Sequence, residues 1–473
     1  MNTARRITTN FMSLAFSEVI SKILQLLVFA YIARKLGNDN FGIFSFAISF
    51  SLLIAITADF GLSTLLIREI SRDKKSVAKY LSNALFVKVL LSLITVIASY
   101  IFLNSMRYSP EVKIIAYVML LFAIMQSFTD VYYAIFRAFE QMYYDAIIKV
   151  LRMLILVGMV IYAIKNNYGL FAASLAFPVT ETVILIFASL IAYKKFTKVD
   201  FYIDYEFSKK LLKSSFLFFL SLVFSGIFMY IDAVIISKVR STAEVGIYSA
   251  AANIILALIF IPMMYGNSIY PVISRLYTSS KKSLKFAYER SFKYMLLLGI
   301  PLSAAIYVLS DKIILLLYGN QYKGSAIILS VLCWYIFLRF VNVVSGFTLT
   351  SINKQGSRVF SQGIAAFASI TLNFILIPFY GILGAAIAAI ITEAIFFSMY
   401  AYFIFKHGLK INFLMTLIKS AGAAAIMAYL ITFVENIFLA AFIGIVVYGI
   451  SLLIFRAIDK EDMFLVKKVI NNI

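Results

Sequence analysis

The 473-residue sequence predicts an all-α polytopic membrane protein of 14 transmembrane helices: two six-helix lobes, related as parallel pseudo-twofold repeats, and two further C-terminal helices. Three observations predict it. Hydrophobic residues make up 63% of the chain and charged residues 14%, with a mean hydropathy of +0.95, and no soluble interior of this size hides so much apolar surface. Apolar runs of about 20 residues recur, long enough to cross a hydrocarbon core of roughly 30 Å. They are continuous rather than alternating, which excludes a β-barrel. The first twelve runs also fall into two groups of six that repeat one another.

The first span, Phe11 to Ile32, is unusual because it carries Ser13, Ser17, Glu18, Ser21, Lys22 and Gln25. At 100° per residue these positions cover about half of the helix and leave the other half to Leu14, Leu24, Leu27, Val28 and Tyr31. A charge at mid-membrane costs about 3 kcal/mol against lipid, so the polar face is expected to line an internal cavity. Five spans follow at 41–67, 81–103, 114–136, 143–164 and 169–193, completing an N-terminal lobe of residues 1–193. A basic connection, 194–213, contains Asp200, Asp204 and Glu206. The C-terminal lobe, 214–405, comprises spans 214–237, 245–270, 291–309, 326–351, 358–378 and 381–405. Spans 412–434 and 437–455 and a charged tail complete residues 406–473.

Two matches carry the repeat. Tyr168-Gly169 through Thr180-Glu181 aligns with Tyr380-Gly381 through Thr392-Glu393 at an offset of 212, with Ala173/Ala385 and Ala176/Ala388 also identical. Gly42-Ile43-Phe44-Ser45 aligns with Gly246-Ile247-Tyr248-Ser249 at an offset of 204. Six spans per copy is an even number, so both copies enter the membrane in the same sense, and a substrate site is expected where they meet. The first and seventh spans then face each other. The seventh has its own polar line: Ser214, Ser221, Ser225 and Asp232.

The formal charge of +21 does not point to nucleic acid, because its distribution follows topology. With the N-terminus inside, inner loops and tails hold 28 of the 43 Lys and Arg residues and outer loops hold nine, the positive-inside pattern. Both termini are expected to be cytoplasmic, in a multi-pass plasma (inner) membrane protein whose basic loops, such as Lys281, Lys282 and Lys285, touch membrane lipids. No cleavable signal peptide is evident. The single Cys333 excludes an internal disulfide, and the single His407 argues against a histidine-rich metal site. No cofactor, metal or catalytic residue is expected.

Twelve ionisable residues lie more than three residues inside the span ends: Glu18, Lys22, Asp59, Lys88, Asp130, Lys149, Arg152, Glu181, Asp232, Arg339, Glu393 and Lys419. Lys88, Lys149 and Lys419 sit near inner ends, where snorkelling accounts for them. Glu18 and Lys22, spaced i to i+4 with the acid first, suit a helical ion pair; alternatively Lys22, with Gln25 beside it, offers its charge to an anionic substrate. Arg339 is a candidate fork for phosphate or the partner of a carboxylate. Glu181 and Glu393, at equivalent repeat positions, are candidates for ion coupling or for pins between helices. Asp59 and Asp130 are expected to pair with Arg68 and Arg137, as a gate or a structural lock. Gly384, Ala385, Ala386, Ala388 and Ala389 form a small-residue face for close helix contact. Gly319 to Ser325 lacks the Lys of a phosphate loop, so no enzyme site is evident.

Together with the span count, Ala33-Arg34-Lys35-Leu36-Gly37 before Phe41-Gly42, Asp59-Phe60-Gly61-Leu62 with Arg68, Leu317-Tyr318-Gly319 to Tyr322, and Pro378 through Ala386 resemble the polysaccharide-transport (O-antigen/oligosaccharide) flippases of the multidrug/oligosaccharidyl-lipid/polysaccharide exporter superfamily. The resemblance covers essentially the whole chain. It implies two lobes with alternating access to a central cationic cavity. It also implies a substrate of undecaprenyl or dolichyl type, a polyprenyl (di)phosphate bearing an oligosaccharide, turned from the inner to the outer leaflet, with polysaccharide assembly proteins as partners. The last two spans would then form a groove for the lipid tail. Two other readings stay open. A cation-coupled drug or metabolite exporter of the same superfamily predicts acidic cavity residues. A membrane glycosyltransferase or polymerase predicts a long outer loop with clustered carboxylates or histidines, and no outer loop here exceeds about 20 residues.

Overall fold

Among the described residues, long apolar runs broken at glycine reversals give helices and no strands. The computed structural model describes residues 3–197, 203–459 and 461–462, with side chains from residue 13 onward. The first residues of span one, the middle of the 194–213 connection with Asp200, and most of the charged tail lie outside the described side chains. Among the described residues, twelve helices are long and apolar enough to cross a membrane. Two of them are double: α1 (Thr3–Asp59) reverses at Gly37, φ 82°, and α12 (Gln355–Lys406) reverses at Gly381, φ 59°. At 1.5 Å per residue, a 52-residue helix is far too long for one crossing. Counting each double helix twice gives fourteen crossings.

The chain forms two compact units, Met1–Ala250 with Ala366–Ala385, and Ala251–Ala365 with Ala386–Ile473. In the first unit α1 is central and packs on α4 (Pro110–Ala138), α5 (Met142–Lys165) and α7 (Tyr205–Val239), while α6 (Gly169–Lys195) packs on α4 and α5. The second span ends at Asp59, earlier than the apolar run suggests. Phe60 (φ 49°) and Gly61 (φ 73°) turn the chain into the short amphipathic α2 (Leu62–Arg72). The reversal is built by Asp59, which accepts from the Gly61 N–H at 3.1 Å and from Ser63 Oγ at 2.5 Å. A Cβ on Gly61 would lie 2.7 Å from the Phe219 nitrogen of α7, so glycine is required there both by its dihedral and by space.

The connection before α7 ends in a fixed cap. Asp204 accepts from the Phe207 N–H at 3.0 Å and pairs with Lys79 of α3 (Val77–Ser105) at 2.9 Å. Those bonds hold its carboxyl below the usual range.

The repeated Gly42 and Gly246 motifs meet within this unit. A Cβ on Gly42 would overlap the Thr242 carbonyl, and one on Gly246 would lie 2.7 Å from the Asn38 carbonyl oxygen. Asn38 and Thr242 are themselves 204 residues apart, so each copy rests its glycine on the same place in the other.

In the second unit α10 (Lys281–Tyr318) packs on α11 (Ser325–Ser351) and α13 (Leu414–Thr432), α13 on α14 (Ile437–Ile454), and α9 (Phe260–Ser279) on α11. α8 (Thr242–Leu258) leads into α9 from the first unit. The segment after α14 is tied down by ion pairs: Arg290 meets Asp459, Glu461 and Asp462, and Lys293 meets Asp459 at 3.1 Å and Asp462 at 2.5 Å. Burial works to raise the Asp459 carboxyl, but these cations and the Asp462 N–H hold it well below the ordinary carboxylate range. Across the units, α4 and α11 stop alike. Gln141 N–H bonds back to the Phe136 carbonyl and Lys354 N–H to that of Leu349, each past a left-handed residue, Glu140 or Asn353. The small-residue face behaves as its composition requires: a Cβ on Gly384 would overlap the Leu376 carbonyl.

Candidate functional site

Two residues of the polar face of span one, Lys22 and Gln25, line a cavity of about 180 Å³ inside the first unit, room for on the order of ten waters. Lys22 and Gln25 come from α1, Gln126 from α4, Arg152 from α5, Thr180 and Glu181 from α6, and Tyr230 from α7. Phe29, Phe122 and Phe177 supply apolar wall, the last two edge to face at 5.5 Å. The volume suits a phosphate-sized anion with water, and it is below the roughly 300–1,000 Å³ of pockets that enclose drug-sized ligands.

The charges pair otherwise than spacing along one helix suggests. Glu18 meets Lys149 of α5 at 3.3 Å instead of Lys22, and Lys149 also meets Asp145 at 3.4 Å. Asp145, fully buried, takes Arg137 at 2.7 Å, so Arg137 is bound there instead of to Asp130. Asp59 pairs with Lys88 at 2.6 Å, while Arg68 lies exposed beside Glu69 at 2.7 Å. Lys88 does not snorkel: it is fully buried and also donates to the Ser127 carbonyl at 2.7 Å. Lys419 reaches the Arg456 carbonyl at 3.0 Å near the end of α14. Asp232 accepts from Tyr248 at 2.7 Å and Asn373 at 2.8 Å.

Two groups stand out after this accounting. Lys22 donates to Gln25 at 3.4 Å and has no carboxylate within 4.0 Å among the described residues. Its helix neighbour Glu18 is taken by Lys149, so the cavity keeps a positive charge without a carboxylate paired to it among the described residues. Glu181 is fully buried and faces Arg152 at 3.5 Å, too long for an ordinary N–H···O bond. Arg152 is the functional candidate that sequence reasoning passed over; its mid-span position, as central as Lys22, was the available signal.

The second unit holds Arg339 and Glu393. Their ion pair is 3.6 Å, and Glu393 also accepts from Asn342 Nδ2 at 2.8 Å, the same amide reaching the Glu393 backbone carbonyl at 3.0 Å. Asn342 too was not singled out by the sequence, because a neutral amide leaves no charge signal. No group of three or more metal-ligating side chains occurs among the described residues.

The family model described as "Polysaccharide biosynthesis protein" matches residues 7–277, and the model described as MatE matches 217–379. Among curated proteins, a probable low-salt glycan biosynthesis flippase, Agl15, of Haloferax volcanii is 22% identical over 83% of this chain and 82% of its own length. A putative O-antigen transporter of Shigella flexneri is 24% identical over 79% of this chain and 91% of its own. The fold resembles that of lipid II flippase MurJ in an inward closed conformation, with a TM-score of 0.80 at 18% identity, covering 94% of this chain and 98% of that one.

Proposed function

The chain belongs to the polysaccharide biosynthesis protein family, and from that premise we propose that it is a flippase. Its cargo is a polyprenyl-(di)phosphate-linked oligosaccharide, carried from the cytoplasmic to the outer leaflet for assembly of a cell-surface polysaccharide or glycan. The observation that carries this reading is Lys22: a cation at membrane depth, on a cavity wall, with no carboxylate of its own. Such a charge is costly in an empty protein and is offset when a phosphate arrives. The lipid tail stays in the bilayer while the headgroup takes the wet path.

Alternating access between repeat halves 1–193 and 214–405, joined by 194–213, turns the site from one side to the other. Residues 406–473 supply the two additional helices and the tail. Gln25 offers a neutral hydrogen-bonding group beside Lys22 and Glu18 sets the local field around it, while Arg339 is a separate candidate for phosphate in the second unit. Glu181 is the acid through which an ion gradient acts, whereas Glu393 is held by Arg339 and Asn342. Asp59 with Lys88, and Arg137 with Asp145, serve gating or structural pairing toward the inner ends. The chain acts as a transporter, without a catalytic step, in the inner (plasma) membrane with both termini cytoplasmic. Polysaccharide assembly proteins are its partners.

The MatE match over 217–379 favours a second reading, cation-coupled export of a drug or metabolite. Reconstitution separates the two. Purified protein in liposomes should move a fluorescent undecaprenyl-diphosphate oligosaccharide between leaflets, and a proton or sodium gradient should change the rate. Gradient-driven movement of an organic cation without leaflet exchange of the lipid would favour the second reading.

A further inference from the structure

The first-unit cavity contains a buried ion pair that is only half made. Arg137, Asp145, Lys149 and Glu18 form a chain of ion pairs at 2.7, 3.4 and 3.3 Å in which every acid has a cation. Arg152 and Glu181 stand apart from it. Glu181 is fully buried, yet among the described residues neither carboxylate oxygen has a hydrogen-bond partner, and neither does the Arg152 Nε. Buried polar groups are ordinarily bonded, and a guanidinium facing a carboxylate ordinarily closes into a two-bond fork. Here both groups line a cavity, and on the same wall is Lys22, a cation with no acid.

We propose that Arg152 is a second anion-binding residue of this cavity, and that Glu181 holds its place until a substrate phosphate displaces it. The inference rests on the flippase reading and specifies its recognition step. A phosphate between Lys22 and Arg152 accepts from the ammonium and from the guanidinium fork, with geometry that the present pair lacks. Glu181 is then released to the cavity water. The carboxylate keeps the empty cavity from holding two unpaired cations, and it also sets the strength of anion binding, because the phosphate must compete with it. Such competition is reciprocal: whatever weakens the Arg152–Glu181 contact tightens anion binding by the same factor.

The test uses the full-length protein in nanodiscs of neutral phosphatidylcholine, titrated with inorganic pyrophosphate, and in parallel the same nanodiscs carrying undecaprenyl diphosphate. Glu181→Gln should tighten binding by about tenfold, a typical size for such coupling. Arg152→Gln should weaken it by about as much. Because Arg152→Gln leaves a buried carboxylate unpaired, the double variant Arg152→Gln/Glu181→Gln keeps the question answerable in a folded protein, and it should bind as weakly as Arg152→Gln. Tightening in both arms assigns the site to the diphosphate itself; tightening only with the lipid assigns it to the diphosphate presented from the bilayer. If Glu181→Gln leaves both affinities unchanged or lowers them, or if the double variant binds like the parent, Glu181 does not compete and the proposal fails. Should that happen while the parent protein still flips the lipid-linked oligosaccharide in liposomes, the flippase reading stands without it. A parent protein that neither binds either probe nor flips overturns both.

Discussion

Glu181 and Glu393 occupy the same place in the repeat, each after a threonine and each fully buried, but their surroundings differ. Glu181 forms part of a cavity wall, its oxygens unbonded and its arginine supplied by α5 at 3.5 Å. Glu393 is held from α11, by Arg339 at 3.6 Å and by an Asn342 amide that grips both its side chain and its backbone. By span order α11 corresponds to α4, which gives Glu181 no cation. Duplication thus preserved the carboxylate and changed what touches it. One copy is pinned; the other is exchangeable. A buried acid at a repeated position is therefore not evidence of a repeated role, because its bonding decides whether it can respond to a ligand.

The contrast can be broken most sharply through the arginines. Arg339→Gln leaves the fully buried Glu393 without its cation and should cost about 3–5 kcal/mol, read as a large drop in thermal unfolding temperature in detergent. Arg152→Gln strands Glu181 at a cavity that admits water, and should cost clearly less. Equal losses would erase the distinction. Next in size, Lys22→Gln should leave insertion and unfolding temperature near the parental values while lowering flipping by roughly 10–100-fold, the worth of one charged hydrogen bond of about 1.5–3 kcal/mol. Lys88→Met, which removes a fully buried partner of Asp59, should instead lower stability and flipping together.

The smallest effect is expected outside the membrane, where pairing is complete. The Asp459 carboxyl is depressed by Arg290, Lys293 and the Asp462 N–H against its burial. Its contribution is therefore present above the ordinary carboxylate pKa and is lost only as pH falls through the depressed value. Asp459→Asn should speed hydrogen exchange at the start of the tail at neutral pH, and the parent should approach the variant only in strong acid. A parental tail that already loosens at mildly acidic pH would show that the pairing is weaker than its geometry.

Composition and run length made the helical membrane fold legible, because a bilayer leaves few alternatives to a chain this apolar. The glycine reversals at Gly37 and Gly381 sit in or beside the loops that the sequence placed, so the twelve candidate spans among the described residues account for fourteen crossings. The second span was overextended: hydropathy runs on smoothly through Phe60 to Ile67, and the break is made by left-handed dihedrals and an Asp59 cap that periodicity does not register. Of the polar face of span one, Lys22 and Gln25 reach the cavity wall, beside Val28 of the apolar half. The ion pairs were not foretold, because i to i+4 spacing speaks only for one helix, whereas Glu18 is claimed by Lys149 and Asp145 by Arg137. Lys88 shows the same limit: distance from a helix end predicts snorkelling only if the side chain faces lipid, and here it faces Asp59.

The most direct measurement compares two lipids in proteoliposomes: one oligosaccharide carried on undecaprenyl diphosphate, and the same oligosaccharide on a neutral polyprenyl ether without phosphate. If a cationic cavity around Lys22 captures the headgroup, the parent protein moves the phosphorylated lipid much faster than the neutral one, and Lys22→Gln removes most of that preference. Equal transfer of the two lipids by the parent, or an undiminished preference in the variant, would contradict the account.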